Sequence, residues 1–281
     1  MIHDKASVFD LAIVNDVEYG TSGPNIIGDV EVLYNSQRDG HPIFTRSKHK
    51  NDLLVTGSVF FSEKVNNMRS KFQTLPLDVE LGCHTMGQVI RDHSTIPHER
   101  ICGLMIGNGG AGDTYNTVYK VNRTARSVPS PIPFRVVPVL DDLNPTDRAK
   151  YFLRVVKGDY AYYYGKKWDI EREIIVEFED GTTVPIDVDM VPTSKFVKIY
   201  ALYRVTIDQR DVREGFKLEQ GSTLRSLVNS IGLVGGYPGT EPSDGTEEFF
   251  NVRGITTVNM ENKELKDSAS TITIIYKEFI Q

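Results

Sequence analysis

The chain has 281 residues, which is enough for one large domain or two domains of ordinary size. Hydrophobic residues make up 40% and charged residues 25% of it, a composition that excludes a coiled coil, a collagen-like chain and wholesale disorder. The 38 acidic and 32 basic side chains give a formal net charge of −6, the wrong sign for neutralising phosphates, so we expect no nucleic-acid partner.

No targeting signal is predicted. The first ten residues contain Asp4 and Asp10 and no apolar run, unlike a signal peptide. No stretch approaches the ~18 consecutive apolar residues of a membrane-spanning helix. Two cysteines, Cys83 and Cys102, are too few for a disulfide-stapled scaffold. We therefore expect no membrane span and a reducing compartment.

Strand-forming sequences dominate the N-terminal half. Strands are predicted over residues 8–14, 29–34, 100–106 and 115–121. Helices are few. An apolar stripe at helical spacing predicts one over residues 62–72, and Asn144 before Pro145 predicts the start of another.

A proline-rich segment predicts a domain boundary. Pro129, Pro131 and Pro133 occupy alternate positions, which favours an extended connector because proline fixes φ and lacks an N–H donor. The predicted units are an N-terminal β-rich region, residues 1–126, and a C-terminal β-rich domain, residues 127–281. A single domain is the alternative.

Asp180 and Gly181, between two apolar runs, predict a β-hairpin, because Asp-Gly suits a type I′ turn. Pro185 in the second arm cannot donate a ladder hydrogen bond, so that arm is expected at a sheet edge or a bulge.

The C-terminal part combines strands with the strongest helix prediction. In residues 222–231 apolar side chains recur at i, i+3, i+4 and i+7, Ser222 can cap the helix and Gly232 can end it. A long Gly/Pro/acidic loop over residues 232–247 is expected to follow. Strands are predicted over residues 196–207 and 270–279. The chain therefore predicts a mainly β fold, α+β with few helices, whose antiparallel sheets form a sandwich-like structure.

Gly107, Gly109 and Gly112 match the G-x-G-x-x-G pattern of dinucleotide-binding folds and follow an apolar run. In those folds a helix follows the glycines, and an acidic residue about 20 positions later binds the ribose. Here β-forming residues follow, and no acidic residue occurs between Asp113 and Asp141. We expect a glycine-rich hairpin or bulge loop rather than a nucleotide site.

Cys83, His84, His93, His98 and Cys102 lie within twenty positions and are of the residue types that bind zinc. They lack a C-x-x-C pair, and Cys102 lies in an apolar run. A Cys-His nucleophile pair is a further alternative, but no third, orienting group is identifiable. We predict no metal and no catalytic or cofactor-binding residue. Whether Cys83, His93, His98 and Cys102 bind metal stays open.

Two carboxylate pairs and one aromatic segment could carry chemistry. Asp141 with Asp142, and Asp187 with Asp189, could share a metal or divide acid and base roles, but their predicted loop and strand positions favour solvated surface. Residues 159–169 hold four tyrosines and the one tryptophan. Such a segment forms a core strand, a protein–protein interface or, less commonly, a sugar-stacking surface.

These segments together resemble the β-rich baseplate wedge and tail proteins of contractile-tailed bacteriophages. The resemblance is carried by the 107–112 loop leading into residues 115–123, the alternating prolines, the block 150–180 and the strand 271–280. It implies a non-enzymatic structural subunit of the virion, without a cofactor, that contacts other tail or baseplate proteins and copies of itself. Its implied location is the virion, after assembly in the host cytoplasm.

Two other functional classes stay open. A glycan-directed hydrolase would need two carboxylates facing one cleft at roughly 5–10 Å. A carbohydrate-binding module of a tail would use the aromatic residues 160–168.

Overall fold

The computed structural model describes residues 29–38, 41–50, 52–54, 100–112, 117–178, 180–185, 196–221, 226–240, 247–267 and 269–279. These residues form a mainly β fold in which two antiparallel sheets pack in a sandwich-like arrangement, as the sequence predicts.

The six-stranded sheet has the order β10-β9-β11-β14-β1-β2. Its strands are β1 (Asp29–Arg38), β2 (His41–Lys50), β9 (Ile170–Phe178), β10 (Thr183–Pro185), β11 (Phe196–Asp208) and β14 (Thr271–Phe279). The predicted strands over residues 29–34, 196–207 and 270–279 are thereby confirmed. The central strand β14 pairs with β1 on one side and β11 on the other.

The eight-stranded sheet has the order β3-β13-β12-β4-β8-β6, with β5 paired to β4 and β7 to β8. Its strands are β3 (Asp52–Leu53), β4 (Arg100–Gly107), β5 (Pro131–Ile132), β6 (Arg135–Pro138), β7 (Tyr151–Lys157), β8 (Tyr160–Lys167), β12 (Leu227–Thr240) and β13 (Glu247–Glu264). The strand predicted over residues 100–106 is β4. Both sheets contain strands from the two predicted regions, residues 1–126 and 127–281. The division into domains itself stays a prediction.

Helices are a minority of the described residues. They comprise a 3-10 turn (Val139–Asp141), α1 (Pro145–Arg148) and α2 (Gln209–Gln220). Asn144 caps α1 by accepting a hydrogen bond from the Asp147 amide at 3.0 Å, which confirms the predicted helix start. The sequence pattern did not predict α2, which begins after Asp208 with a capping box and is capped at its C-terminus by Gly221, whose φ is +69°.

The main core lies between the sheets. Alternate residues of β14 point into it, and the side chains of Ile272, Ile274 and Tyr276 are fully buried. From the facing sheet, Leu104 and Leu233 meet them in the same cluster. A second apolar cluster, formed by Cys102, Met105, Val128, Phe152, Tyr164, Val234 and Phe249, is separate from it.

The predicted hairpin at Asp180 and Gly181 is confirmed, but its turn type is not. β9 and β10 pair antiparallel with Thr183 opposite Glu177, so the connection is longer than the two residues of a type I′ turn. Among the described residues of this turn only Gly181 has a positive φ, +80°, and the Asp180 carboxylate accepts a hydrogen bond from the Thr182 amide at 2.9 Å. β10 lies at the edge of the sheet, as Pro185 predicts.

The helix predicted over residues 222–231 is wrong where the structure describes these residues, and residues 222–225 lie outside the described residues. Residues 227–231 belong to β12, which pairs with β13 and β4. The register shifts between Val228 and Ser230, and this bulge brings Val228 and Ile231 into the same core although they are three residues apart. A bulged strand therefore produced a spacing that is typical of a helix.

The long loop predicted over residues 232–247 is also wrong over residues 232–240, and residues 241–246 lie outside the described residues. β12 continues to Thr240 and β13 begins at Glu247. Glycines in this part of β12 permit close approach, since a Cβ on Gly232 would lie 2.5 Å from a Val128 methyl group.

The sequence predicts a strand over residues 115–121. In the described part of that range the structure has a single antiparallel β-bridge instead, between Val118 and Ala111. The alternating prolines lie against the core, where Val128, Ile132 and Phe134 are buried. The strand predicted over residues 8–14 and the helix over residues 62–72 lie outside the described residues.

Candidate functional site

The glycine-rich loop after β4 is a hairpin. The Tyr119 amide donates to the Gly110 carbonyl at 2.8 Å and the Gly112 amide to the Thr117 carbonyl at 2.8 Å, which confirms the predicted hairpin loop. The amides that a dinucleotide phosphate would need are engaged within the chain: Asn108 donates to Ser130, Gly109 to Pro129, and Gly110 to the Asn229 side chain.

Three asparagines, which we call the amide cluster (Asn229, Asn259 and Asn262), hold this loop. Asn229 accepts from the Gly110 amide at 2.7 Å and donates to the carbonyl of Asn108 at 2.9 Å and to the Asn262 side chain at 2.8 Å. Asn262 in turn donates to the Gly112 carbonyl at 3.1 Å. A Cβ on Gly110 would lie 2.1 Å from the Ser230 hydroxyl, so glycine is required here by close approach.

Of the predicted Cys/His cluster, only Cys102 lies within the described residues. Its side chain is buried in the second apolar cluster, and its thiol donates to the Val234 carbonyl at 3.2 Å. Cys83, His84, His93 and His98 lie outside the described residues. In the ranges that the structure describes, no group of three or more His, Cys, Asp or Glu side chains is arranged to hold a metal ion.

The carboxylate pair Asp141 and Asp142 is split in the structure. Asp141 is exposed at the end of the 3-10 turn, whereas Asp142 accepts from the Tyr163 hydroxyl at 2.6 Å and pairs with Arg154 at 2.7 Å. Partial burial opposes ionisation of Asp142, but the hydrogen bonds from Tyr163, Leu143 and Arg154 prevail and lower its pKa. Burial, and then Asp142, raise the pKa of Tyr163 to about 12. Asp187 and Asp189 lie outside the described residues.

The aromatic segment belongs mostly to the core. Tyr163, Tyr164 and Trp168 are buried, and the Trp168 indole N–H donates to the Ile101 carbonyl at 3.3 Å. Tyr162 is half-buried, stacked on Tyr164 with 6.4 Å between ring centroids. Tyr160, at the start of β8, is exposed. Since most of the rings face other parts of the chain, they do not form a continuous sugar-stacking surface.

A buried ionic group that the sequence analysis missed links α2 to β8. We call it the carboxylate cluster (Tyr151, Lys166 and Asp211). The Lys166 ammonium lies 2.6 Å from the Asp211 carboxylate and donates to the Thr206 carbonyl at 2.8 Å, and the Tyr151 hydroxyl donates to Asp211 at 2.6 Å. Each charge is therefore paired and hydrogen-bonded, which is typical of a structural ion pair.

The described surface also carries a group of exposed apolar side chains. Five exposed apolar side chains, which we call the apolar end, lie on the 3-10 turn and on the β7–β8 hairpin: Val139, Leu140, Val155, Val156 and Tyr160. The Val139 amide donates to the Asp159 carbonyl at 2.8 Å, which joins the turn to the hairpin. Leu140 is fully exposed.

The end of β7 is exposed although its partner strand β8 is mostly buried, and Val156 lies opposite Ala161, which is fully buried. After Leu153 the last four residues of β7 are all exposed. Successive strand residues point to opposite faces, so Val155 and Val156 present apolar surface on both sides of the hairpin. Leu153 itself has a φ of +57°, a strained conformation that costs about 1–3 kcal/mol. In the part of the chain that the structure describes, β7 pairs with β8 alone.

No protein-family profile, curated protein or solved structure matches this chain. Among the described residues, no helix combines the length and the apolar character that crossing a bilayer requires. The geometry of the chain's own residues therefore carries the functional argument.

Proposed function

We propose that this protein is a non-enzymatic structural subunit of a multi-protein assembly, and that the assembly is the tail or baseplate of a contractile-tailed bacteriophage. The general role is supported by the apolar end. The viral setting is supported by the sequence resemblance described above. In this proposal the protein needs no cofactor and acts in the virion through contacts with other tail or baseplate proteins.

The apolar end is the single observation that carries the proposal. Isolated exposed apolar residues are common, but several that lie together on a surface usually mark a contact. Covering a side chain of the size of Leu140 is worth about 1.5–3 kcal/mol. A partner that covers both faces of the β7–β8 hairpin would also shield the outer edge of β7 from non-specific strand pairing.

The polar groups that suggested chemistry support the same proposal. The glycine-loop amides, the Cys102 thiol and the Asp142 carboxylate each have hydrogen-bond partners within the chain. These contacts give each group a role in holding the fold that requires no substrate.

Incorporation into particles tests the proposal. Leu140→Asp and Val156→Asp place a charge on the apolar end without changing the core. We expect both variants to fold, as judged by thermal unfolding, and to be depleted from purified particles when they are produced beside the remaining virion proteins.

The matched control is Leu218→Asp, because Leu218 is also exposed but lies on α2. It should enter particles as the wild-type chain does. Equal incorporation of the Leu140 and Leu218 variants would contradict the role of the apolar end. Hydrolysis of a glycan that is lost on Asp141→Asn or Asp142→Asn would contradict the non-enzymatic proposal, and saturable glycan binding at Tyr160 would favour a carbohydrate-binding module.

A further inference from the structure

The two edges of the six-stranded sheet carry opposite charge. At one edge, β2 contains Arg46, Lys48 and Lys50, two histidines and no acidic residue. At the other edge lie β9 and β10, and their described residues with the turn between them contain four acidic residues, Glu171, Glu173, Glu177 and Asp180, against one basic residue, Arg172.

Side chains at both edges are accessible. On β2 the Arg46 and Lys48 side chains are exposed, although Arg46 also pairs with Glu31 of β1, and Phe44 beside them is 62% exposed. On β9, Glu171 is exposed and Glu173 is half-buried.

The negative charges on β9 also act on Tyr200 of the neighbouring strand β11. Tyr200 lies opposite Ile175 of β9, between the positions of Glu173 and Glu177. Burial, and then the charges on Glu177 and Glu173, raise the pKa of Tyr200.

Strand direction allows the sheet to continue from one copy to the next. Every neighbouring pair in this sheet is antiparallel, and the sheet has six strands. With an even number of alternating strands, the two edge strands run in opposite directions. A second copy in the same orientation would therefore place its β10 antiparallel to β2 of the first copy, without a change in the alternation.

We propose that a second copy of this chain docks its acidic β9–β10 edge against the basic β2 edge of the first. The contact joins two different surfaces, so it is heterologous and leads to a ring or a filament rather than a two-fold dimer. Two β2 edges would instead bring like charges opposite each other, which is unfavourable. The inference extends the proposed function to copies of the same chain and uses residues outside the apolar end.

Lysine on an edge strand is also a common means of preventing strand pairing. That role and the proposed contact predict different results. A purely protective edge leaves the purified chain monomeric at all salt concentrations. The proposed contact gives complexes whose mass, in sedimentation experiments, rises with protein concentration and falls as salt screens the charges.

Charge reversal at each edge gives the decisive test. The first variant is Lys48→Glu with Lys50→Glu, and the second is Glu171→Lys with Glu173→Lys. Each variant alone should self-associate about tenfold more weakly or worse, because like charges now meet. An equimolar mixture of the two should recover association, because each variant retains the edge that the other needs.

Lys120→Glu is the matched control, since Lys120 is exposed and lies outside the six-stranded sheet. It should associate as the wild-type chain does. Lys48→Gln with Lys50→Gln removes charge with less risk to folding and should weaken association to a smaller extent. Three results would each overturn the inference: a wild-type chain that stays monomeric, reversal variants that associate normally, or a mixture of folded variants that stays dissociated. A chain that enters particles through the apolar end but never self-associates would overturn this inference alone.

Discussion

The amide cluster and the carboxylate cluster are both buried polar groups, but they hold the fold in different ways. The amide cluster is neutral, and its donors and acceptors match those of the glycine loop. The carboxylate cluster contains charges whose burial is costly unless each is paired. The first therefore fixes the shape of a loop, whereas the second fixes a helix against a sheet through paired charges.

Removing one charge should have the largest effect. In Lys166→Met the side chain keeps its approximate length, but the Asp211 carboxylate loses its counterion in a site where both side chains are 10% exposed. We expect the free energy of unfolding to fall by about 3–5 kcal/mol in denaturant titrations. Lys120→Met is the control and should change it little. A Lys166→Met variant as stable as that control would remove the distinction between the clusters.

A smaller loss is expected in the amide cluster. Asn229→Ala leaves the Gly110 amide and the Asn108 carbonyl without their present partner. The free energy of unfolding should fall by about 2 kcal/mol, in the range for unsatisfied buried groups. Asn122→Ala, at an exposed local turn, is the matched asparagine control and should cost less. Equal losses for the two variants would show that burial of the amide is immaterial.

Alkaline pH should separate the clusters. Burial, followed by the charge on Asp211 and the hydrogen bond to it, raises the pKa of Tyr151. In the unfolded chain a tyrosine ionises near pH 10, so above that pH ionisation lowers the free energy of the unfolded state but not that of the folded state. The stability that Tyr151 contributes relative to Tyr151→Phe is thus fully present below about pH 10 and falls as pH rises further.

The comparison for that experiment is Asn229→Ala, whose stability difference from the wild-type chain should stay constant over the same pH range. Denaturant titrations at neutral and alkaline pH measure both differences. A Tyr151→Phe difference that is independent of pH would contradict the assignment of the buried hydroxyl.

The smallest effect is expected at the rim of the amide cluster. Asn259 donates to the Tyr119 carbonyl at 3.0 Å in an exposed position. Asn259→Ala should lower the free energy of unfolding by about 1 kcal/mol or less, because water can replace that contact. A loss as large as that of Asn229→Ala would show that the cluster acts as one cooperative unit.

The sequence predicted those strands that bury one face and expose the other, because their apolar residues occur at alternate positions. In β14 the buried residues Ile272, Ile274 and Tyr276 occupy alternate positions, and three of the four residues that flank them, Thr271, Thr273 and Lys277, are polar. β12 lies between two strands, and the bulge after Val228 changes the spacing of its buried residues, so the pattern indicated a helix. Long-range pairing, which local patterns do not contain, determined the outcome.

The helix α2 was missed for a related reason. Its buried stripe consists of little more than Val212 and Phe216, and Gly215 lies in its middle, where glycine weakens a helix. A Cβ on Gly215 would lie 2.3 Å from the Pro133 carbonyl oxygen, so glycine permits the helix to contact the proline segment. Neither the carboxylate cluster nor the apolar end was predictable, because each joins residues from separate elements. For the apolar end, the sequence offered one indication: Leu140 follows Val139 directly and belongs to no alternating apolar pattern.

The position of β14 has a consequence for synthesis on the ribosome. β14 lies between β1 and β11, so β1 cannot pair with β14 until about 230 further residues have been translated. At ordinary rates of translation this delay is roughly 10–50 s. Until then the β1–β2 hairpin is only marginally stable on its own. The six-stranded sheet is therefore incomplete until β14 has been translated. On a polysome, neighbouring nascent chains would expose such incomplete sheets close to one another during that time.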